Sequence, residues 1–458
     1  MHDLGLIGFL LILIGLGFKR PFLFVLGYVY VDIVSPQRLS YYLLNSVPVS
    51  LIFFVLAVIG YAAMDDKSGT RLSGRQAVML MLLAWCGYTT LTADFPAAAL
   101  TKWDWVWKAL TFAIFLPFTL RTKLRIEALL LFMVLSAASL IIVGGIKTLL
   151  SGGGYGMLDL GVEDNSGLYE GSTISTVAIA IIPTILYLAK HGTVFPPDWK
   201  VKLYAWALVF ACLLIPIGTQ TRTGLICIGL VAVMMLRETN RRFLYIAGVG
   251  LAVVAAVPFL PASYTQRMQT IEGYKGDASA TTRIAVWRWT WKYVQDHPGG
   301  GGFDAYLQNH LTIHLSDTDK ALGGSETVNS VEYDKARAYH SAYFEMLGEQ
   351  GFFGFALWAM LHLAGLFRME LLRRRFRKSS DPGEDWISPL ATALQHGHII
   401  YLVGSLFIAI AFQPFVYMLV AAEIGLDGYI RRTRPRRAKR PMGRPLPAAP
   451  PPATAAAA

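Results

Sequence analysis

The chain has 458 residues, of which 54% are hydrophobic and only 16% charged, with a mean hydropathy of +0.46. A water-soluble domain carries about 25% charged residues, so a soluble fold is excluded and an all-α polytopic membrane protein is expected. The formal net charge of +11 (41 minus 30) does not imply nucleic acid, because eight positive charges fall within residues 431–444 without an acidic residue, leaving 33 minus 30, or +3.

Two apolar runs open the chain, 4–18 and 21–35, separated by Lys19 and Arg20. Each is short for a hydrocarbon core of ~30 Å, and no small-residue cleavage site follows the first, so no cleavable signal peptide is expected. Apolar segments follow at 47–64, 76–92, 106–120, 128–146, 173–189, 203–218, 223–236, 243–260, 346–367 and 389–428. The last is long enough for two spans turning near Gln413 and Pro414, which gives about 12 spans, or 13 if both N-terminal runs cross.

Basic clusters fix the orientation, since Lys and Arg near span ends stay in the cytoplasm. They fall at Lys67, Arg71 and Arg75; Arg121, Lys123 and Arg125; Lys190, Lys200 and Lys202; Arg237, Arg241 and Arg242; Arg368 and residues 373–378; and 431–440. All are cytoplasmic together if loops 94–105, 148–172, 219–222 and 261–340 lie outside. The expected organisation is N-terminal transmembrane helices over 1–260, a large external loop with interfacial helices over 261–345, and C-terminal transmembrane helices over 346–430. A cytoplasmic tail, basic and then Ala/Pro-rich and disordered, occupies 431–458 and faces anionic phospholipid headgroups.

No transporter-like internal repeat is seen. The span centres look nearly free of Asp and Glu, where a carrier places costly ionisable groups, so chemistry or binding at the outer face is favoured over transport. Cys86, Cys212 and Cys227 lie in apolar spans and read as packing residues. His310 and His314 are four apart, the spacing of a zinc pair on a helix, but no third ligand follows and no metal site is expected. His396 and His398 open a span and read as interfacial packing, with a proton relay as the alternative. The glycines at 152–154 and 299–302 do not join a strand to a helix, so neither is a nucleotide loop and no cofactor is expected.

Three external segments carry chemistry. In TQTRTG (219–224), Arg222 opens a membrane helix, where a guanidinium beside free amides favours an anion; Gln220 is a supporting candidate, and headgroup anchoring of the arginine is the bland alternative. In TTRIAVWRWTWKYVQDHPGGGGF (281–303), Arg283 and Trp287 recur at four-residue spacing on one helical face with Arg288 beside them, a pattern suited to a membrane interface and to gripping phosphate. In YHSAYFEMLGEQGFFG (339–354), His340 stands at the mouth of a helix with Tyr343 and Glu345 nearby. A near-neutral histidine is suited to take a proton from a sugar hydroxyl, and arginines suit a diphosphate leaving group. Together these describe glycosyl transfer.

On these motifs and their order relative to the spans, the chain resembles the O-antigen ligase and polymerase superfamily. The N-terminal FKRPFLFVLGYVYVDIVSPQRLSY is similar to the exosortase-associated O-glycosylation ligase subgroup. The resemblance implies a GT-C-like, metal-independent inverting transferase at the periplasmic face of the bacterial inner membrane. It would take a glycan from undecaprenyl diphosphate and join it to lipid A-core. It also implies that Arg222 and Arg283, with Arg288 more weakly, bind the diphosphate, and that His340 activates the acceptor. A polymerase or protein O-oligosaccharyltransferase of the same superfamily stays open as the activity. So does, from another class, a polysaccharide or lipid exporter, which a continuous intramembrane charge pathway would favour.

Overall fold

The computed structural model of the chain describes residues 2–40, 42–44, 46–151, 167–237, 242–243, 278–319, 326–379, 381 and 383–434. The expected span 243–260, the loop up to 277, the glycines at 152–154 and the tail after 434 thus lie almost wholly outside the described residues.

The described chain is mostly helical. In order it runs α1 His2–Gly17, α2 Phe22–Val34, α3 Pro36–Leu39, α4 Val49–Met64, α5 Gly74–Leu91, α6 Pro96–Thr119 and α7 Lys123–Ser151. Then come α8 Gly171–Ala180, α9 Ile182–His191, α10 Trp199–Gly218, α11 Arg222–Leu236 and α12 Ala278–Asp296. A hairpin follows, β1 His310–Asp319 and β2 Glu326–Lys335, before α13 Ala342–Phe376, α14 Ile387–Gly404 and α15 Pro414–Thr433. Four segments are long and apolar enough to cross a membrane: Lys123–Leu150, Gly171–His191, Trp199–Gly218 and Ala342–Phe376. Asp3–Gly17, Phe22–Val34, Val49–Met64 and Arg222–Leu236 are shorter apolar helices.

Local chemistry explains the boundaries. Ser73 and Gln76 form a reciprocal capping box at the start of α5, and the Gln76 amide also donates to the Ile114 carbonyl at 2.7 Å, tying α5 to α6. Pro96 opens α6, where its missing N–H costs nothing. This helix starts ten residues before the expected span at 106, so Lys102 and Asp104 are helical and the external loop expected at 94–105 is mostly absent. The expected span 173–189 is two helices, bent at Ile181 ahead of Pro183. The 389–428 segment breaks as expected: α14 ends at Gly404, and the Gln413 side chain caps α15 at the Phe415 amide.

Three expectations are corrected. The large loop is not purely helical, because β1 and β2 pair antiparallel from His310 opposite Lys335 to Asp319 opposite Glu326. A strand rises ~3.3 Å per residue, so His310 and His314 stand about 13 Å apart along β1 rather than one helical turn apart, too far to share a metal. The bundle interior is not nearly free of carboxylates either: Glu127, Glu349 and Glu423 are fully buried. Finally, His396 and His398 are not interfacial; they sit near the middle of α14, buried.

The main core joins most of these helices through residues such as Val29, Phe53, Leu82, Leu110 and Tyr417, while Val286 of α12 packs with Leu311 and Tyr339 in a separate small cluster. Beside Glu127, which accepts the Tyr187 hydroxyl at 3.0 Å, the main core holds two groups of buried ions. Arg75 meets Glu423 at 2.7 Å, Glu423 meets His398 Nδ1 at 2.8 Å, and His398 Nε2 meets His362 Nδ1 at 2.8 Å. The Lys102 ammonium is held by Glu345 and Glu349, each at 2.7 Å, with Asp304 at 3.9 Å.

Candidate active site

His340 lies in the five-residue link between β2 and the Ser341 N-cap of α13. Its φ of 49° is left-handed, as are those of Ala336 at 55° and of Gln220 at 51° in the other external turn. A non-glycine residue held there costs ~1–3 kcal/mol and persists only where its surroundings enforce it. The enforcing contacts are identifiable on both sides of the histidine. Asn309, fully buried, accepts the Arg337 amide at 2.9 Å, donates to the Arg337 carbonyl at 2.7 Å, and takes the Ala336 amide on its own carbonyl at 3.0 Å. On the other side the Trp287 indole N–H donates to the Tyr339 carbonyl at 2.9 Å, while its ring stacks on Phe344 at 5.0 Å and 4°. Trp287 is therefore structural, clamping α12 to the start of α13.

That clamp sets Arg283, one helical turn from Trp287, against His340. Burial together with the Arg283 and Arg337 guanidiniums pushes the His340 imidazole below its ordinary pKa, while Glu170 pulls the other way. Glu170 caps α8, its carboxylate accepting the Thr173 amide at 2.6 Å and hydroxyl at 2.7 Å. The same end of α8 grips the turn that leads into Arg222. The Ser175 hydroxyl bonds Thr219 at 2.7 Å and Thr221 at 3.0 Å, and Gly171 packs on Thr219, where a Cβ would sit 3.3 Å from the Thr219 Cβ. Arg222 then opens α11 as its first residue. Arg283 is thus brought within electrostatic range of His340, and Arg222 to the same end of the bundle by way of α8.

The other sequence candidates are placed differently. Arg288, five residues from Arg283, is solvent-exposed on another face of α12. Tyr343 donates its hydroxyl to the Leu402 carbonyl at 3.1 Å and packs edge-on against Trp358 at 5.1 Å, so it holds the bundle. Glu345 is buried; beyond Lys102 it accepts the Ala411 amide at 2.8 Å, so it neither orients His340 nor faces solvent. Two residues near His340 escaped the sequence reading. Arg337 is three residues upstream of the histidine, and Glu170 lies in the 148–172 loop, which is read only for its side of the membrane.

The run HPGGGGF has a structural role that its glycines require. Gly301 and Gly302 donate to the Gly348 and Glu349 carbonyls at 3.0 and 2.9 Å, and the Phe352 amide donates back to the Pro298 carbonyl at 3.0 Å. Gly351, at φ 64°, breaks α13 where this backbone lies against it, and a Cβ there would collide with the Pro298 carbonyl. The loop motif and the helix motif are therefore one joint. The described cavities lie elsewhere: an apolar one of about 350 Å³ is walled by Leu131, Ile185 and Leu208, and another of about 530 Å³ by Ile182, Val231 and His396.

Fold and site together define a mostly helical membrane protein in which a histidine at the start of a long helix lies within electrostatic range of two arginines. Residues 207–359 match the family model described as O-Antigen ligase, a stretch that contains Arg222, Arg283 and His340; residues 1–193 match one described as a family of unknown function (DUF5935). Residues 207–359 thus carry the likeness to the O-antigen ligase superfamily. This supports a glycosyltransferase-like enzyme with transfer of the ligase or polymerase type. No curated protein matches the chain.

Proposed function

We propose that this protein is an O-antigen ligase, of the exosortase-associated subgroup, that moves a glycan from undecaprenyl diphosphate to lipid A-core at the periplasmic face of the inner membrane. The observation that carries this reading is His340, kept below its ordinary pKa by burial and by Arg283 and Arg337, in a link held left-handed. Such an imidazole is neutral, and so a base, at neutral pH.

In the proposed step an acceptor hydroxyl gives its proton to His340 as its oxygen attacks the anomeric carbon. The bond from that carbon to the diphosphate oxygen breaks, the electron pair leaves with the diphosphate, and the anomeric centre inverts. Arg222 and Arg283 stabilise the charge that grows on the leaving group, an effect worth ~3 kcal/mol for one lost donor. Arg288, exposed beyond this grip, is a subsidiary contact at most. No metal is needed for this step, since the arginines supply the positive charge.

A superfamily polymerase or protein O-oligosaccharyltransferase would use the same base and arginines with a different acceptor. Purified protein given lipid-linked glycan with both lipid A-core and a second lipid-linked glycan separates these by product: the ligase reading expects glycan on lipid A-core, and elongated lipid-linked glycan as the sole product would refute it. One observation speaks for an exporter, the buried chain from Arg75 to His362. Against it, Glu349 and His362 are 13 residues apart on α13, ~20 Å along a helix. Among the described residues no polar contact joins the two buried groups.

A further inference from the structure

At the end of the bundle opposite His340, three chain segments converge on a cavity of about 700 Å³. Arg71 comes from the loop before α5, Arg121 from just after α6, and Arg431, Arg432 and Arg434 from the end of α15. The rest of the wall is Ser68, Gly69 and Gly428, so five guanidiniums line the cavity and no carboxylate does. The acidic neighbours stand behind the arginines. Asp66 takes Arg121 at 2.9 Å, Glu384 takes Arg434, and Asp427 divides itself between Arg431 at 3.3 Å and Arg368. Arg432 has the neutral Leu120 carbonyl at 2.9 Å and lies within electrostatic range of Arg121 and Arg431.

Arginines at the cytoplasmic ends of spans are ordinary. Scattered ones project into water, where like charges separate; here segments from three parts of the chain hold them around one space. Guanidinium forks match phosphate oxygens in pairs. Basic pockets between membrane helices on the cytoplasmic side take anionic headgroups, and this cavity sits where α6 and α15 end. We propose that it binds a phosphate-bearing anion, filled in the membrane by the headgroup of an anionic phospholipid.

Native mass spectrometry of the full chain from phosphatidylcholine nanodiscs, with and without phosphatidylglycerol, reads this directly. Retained phosphatidylglycerol is expected to exceed phosphatidylcholine and to bind about fivefold more weakly for each of Arg71→Gln and Arg431→Gln. Lys202→Gln, which removes a basic charge away from the cavity, is expected to change nothing. Arg71 and Arg431 are both exposed, so the variants should melt with the parent in phosphatidylcholine alone; if either does not, Arg431→Lys, which keeps the charge and loses the fork, should show an intermediate loss. In a second arm, inorganic pyrophosphate is titrated into the phosphatidylcholine sample. A rise in Tm that Arg71→Gln abolishes, without phosphatidylglycerol retention, would uphold the phosphate site and make its occupant a soluble anion. No preference in either arm, or an equal loss in Lys202→Gln, would overturn the proposal.

Discussion

At the residue scale, the environment of His340 makes opposite predictions for its two charged neighbours. Its lowered pKa means that the base form survives to more acid pH than an exposed histidine allows, so the acid limb of ligation should fall with an apparent pKa below about 6.5. Arg337→Gln removes a positive charge that disfavours protonation, so the limb should move to higher pH. Glu170→Gln removes the one carboxylate favouring protonation, so the limb should move lower. A pH–rate profile of ligation for the three proteins checks both signs, and shifts in the same direction would defeat the electrostatic reading. Of this arrangement the sequence displayed the histidine and the motif arginines, because they stand in runs whose placement at span ends is readable. Glu170 was hidden because 170 residues of chain separate it from His340, and only the packing of α8 against the 219–222 turn closes that distance.

At the element scale, the joint between the glycine run and α13 should be intolerant of side chains. Gly351→Ala meets the Pro298 carbonyl at a φ of 64°, so about 1–3 kcal/mol of stability should be lost, read as an early thermal melt in detergent or nanodiscs. The Lys102 cluster should be more sensitive still. Lys102→Met leaves Glu345 and Glu349 facing each other without their shared cation, a break in a buried pair that costs about 3–5 kcal/mol. A double variant with Glu349→Gln should recover part of that loss in the same melting assay; no recovery would mean that Lys102 acts by packing alone. Helix existence was largely legible, since runs of apolar residues of membrane length admit few alternatives. Helix starts were less so: polar Lys102 and Asp104 read as a loop, yet Pro96 lets α6 begin ahead of them, and the carboxylates that repay Lys102 for burial come from α13. The β-hairpin is missed although Leu311, Ile313 and Leu315 alternate with polar residues in β1, because the spacing of His310 and His314 reads as that of a helix.

At the scale of the whole molecule, charge is divided between two ends. The end bearing His340 carries the proposed base, the motif arginines and a clamp made from α12, β1 and the break in α13. The other end carries the arginine cavity, and the expected alternation of basic clusters assigns it to the cytoplasm. Between them, the buried Arg75, Glu423, His398 and His362 tie α5, α15, α14 and α13 together. Of that chain only His398 stands out in the sequence, as the alternative of a proton relay; its partners come from three other helices and no spacing links them. If it is structural, as the separation from Glu349 supports, Glu423→Gln should lower the melting temperature and leave the pH profile of ligation unmoved. A displaced profile would instead make the chain part of the proton path.

The most direct test of the proposed chemistry is ligation by purified protein with lipid-linked glycan and lipid A-core, comparing the parent with His340→Ala and Arg283→Ala after confirming membrane insertion and an unchanged melt. The expected result is loss of ligated product in His340→Ala and a fall of about a hundredfold or more in Arg283→Ala. Near-normal ligation by His340→Ala would contradict the assignment of this histidine as the base.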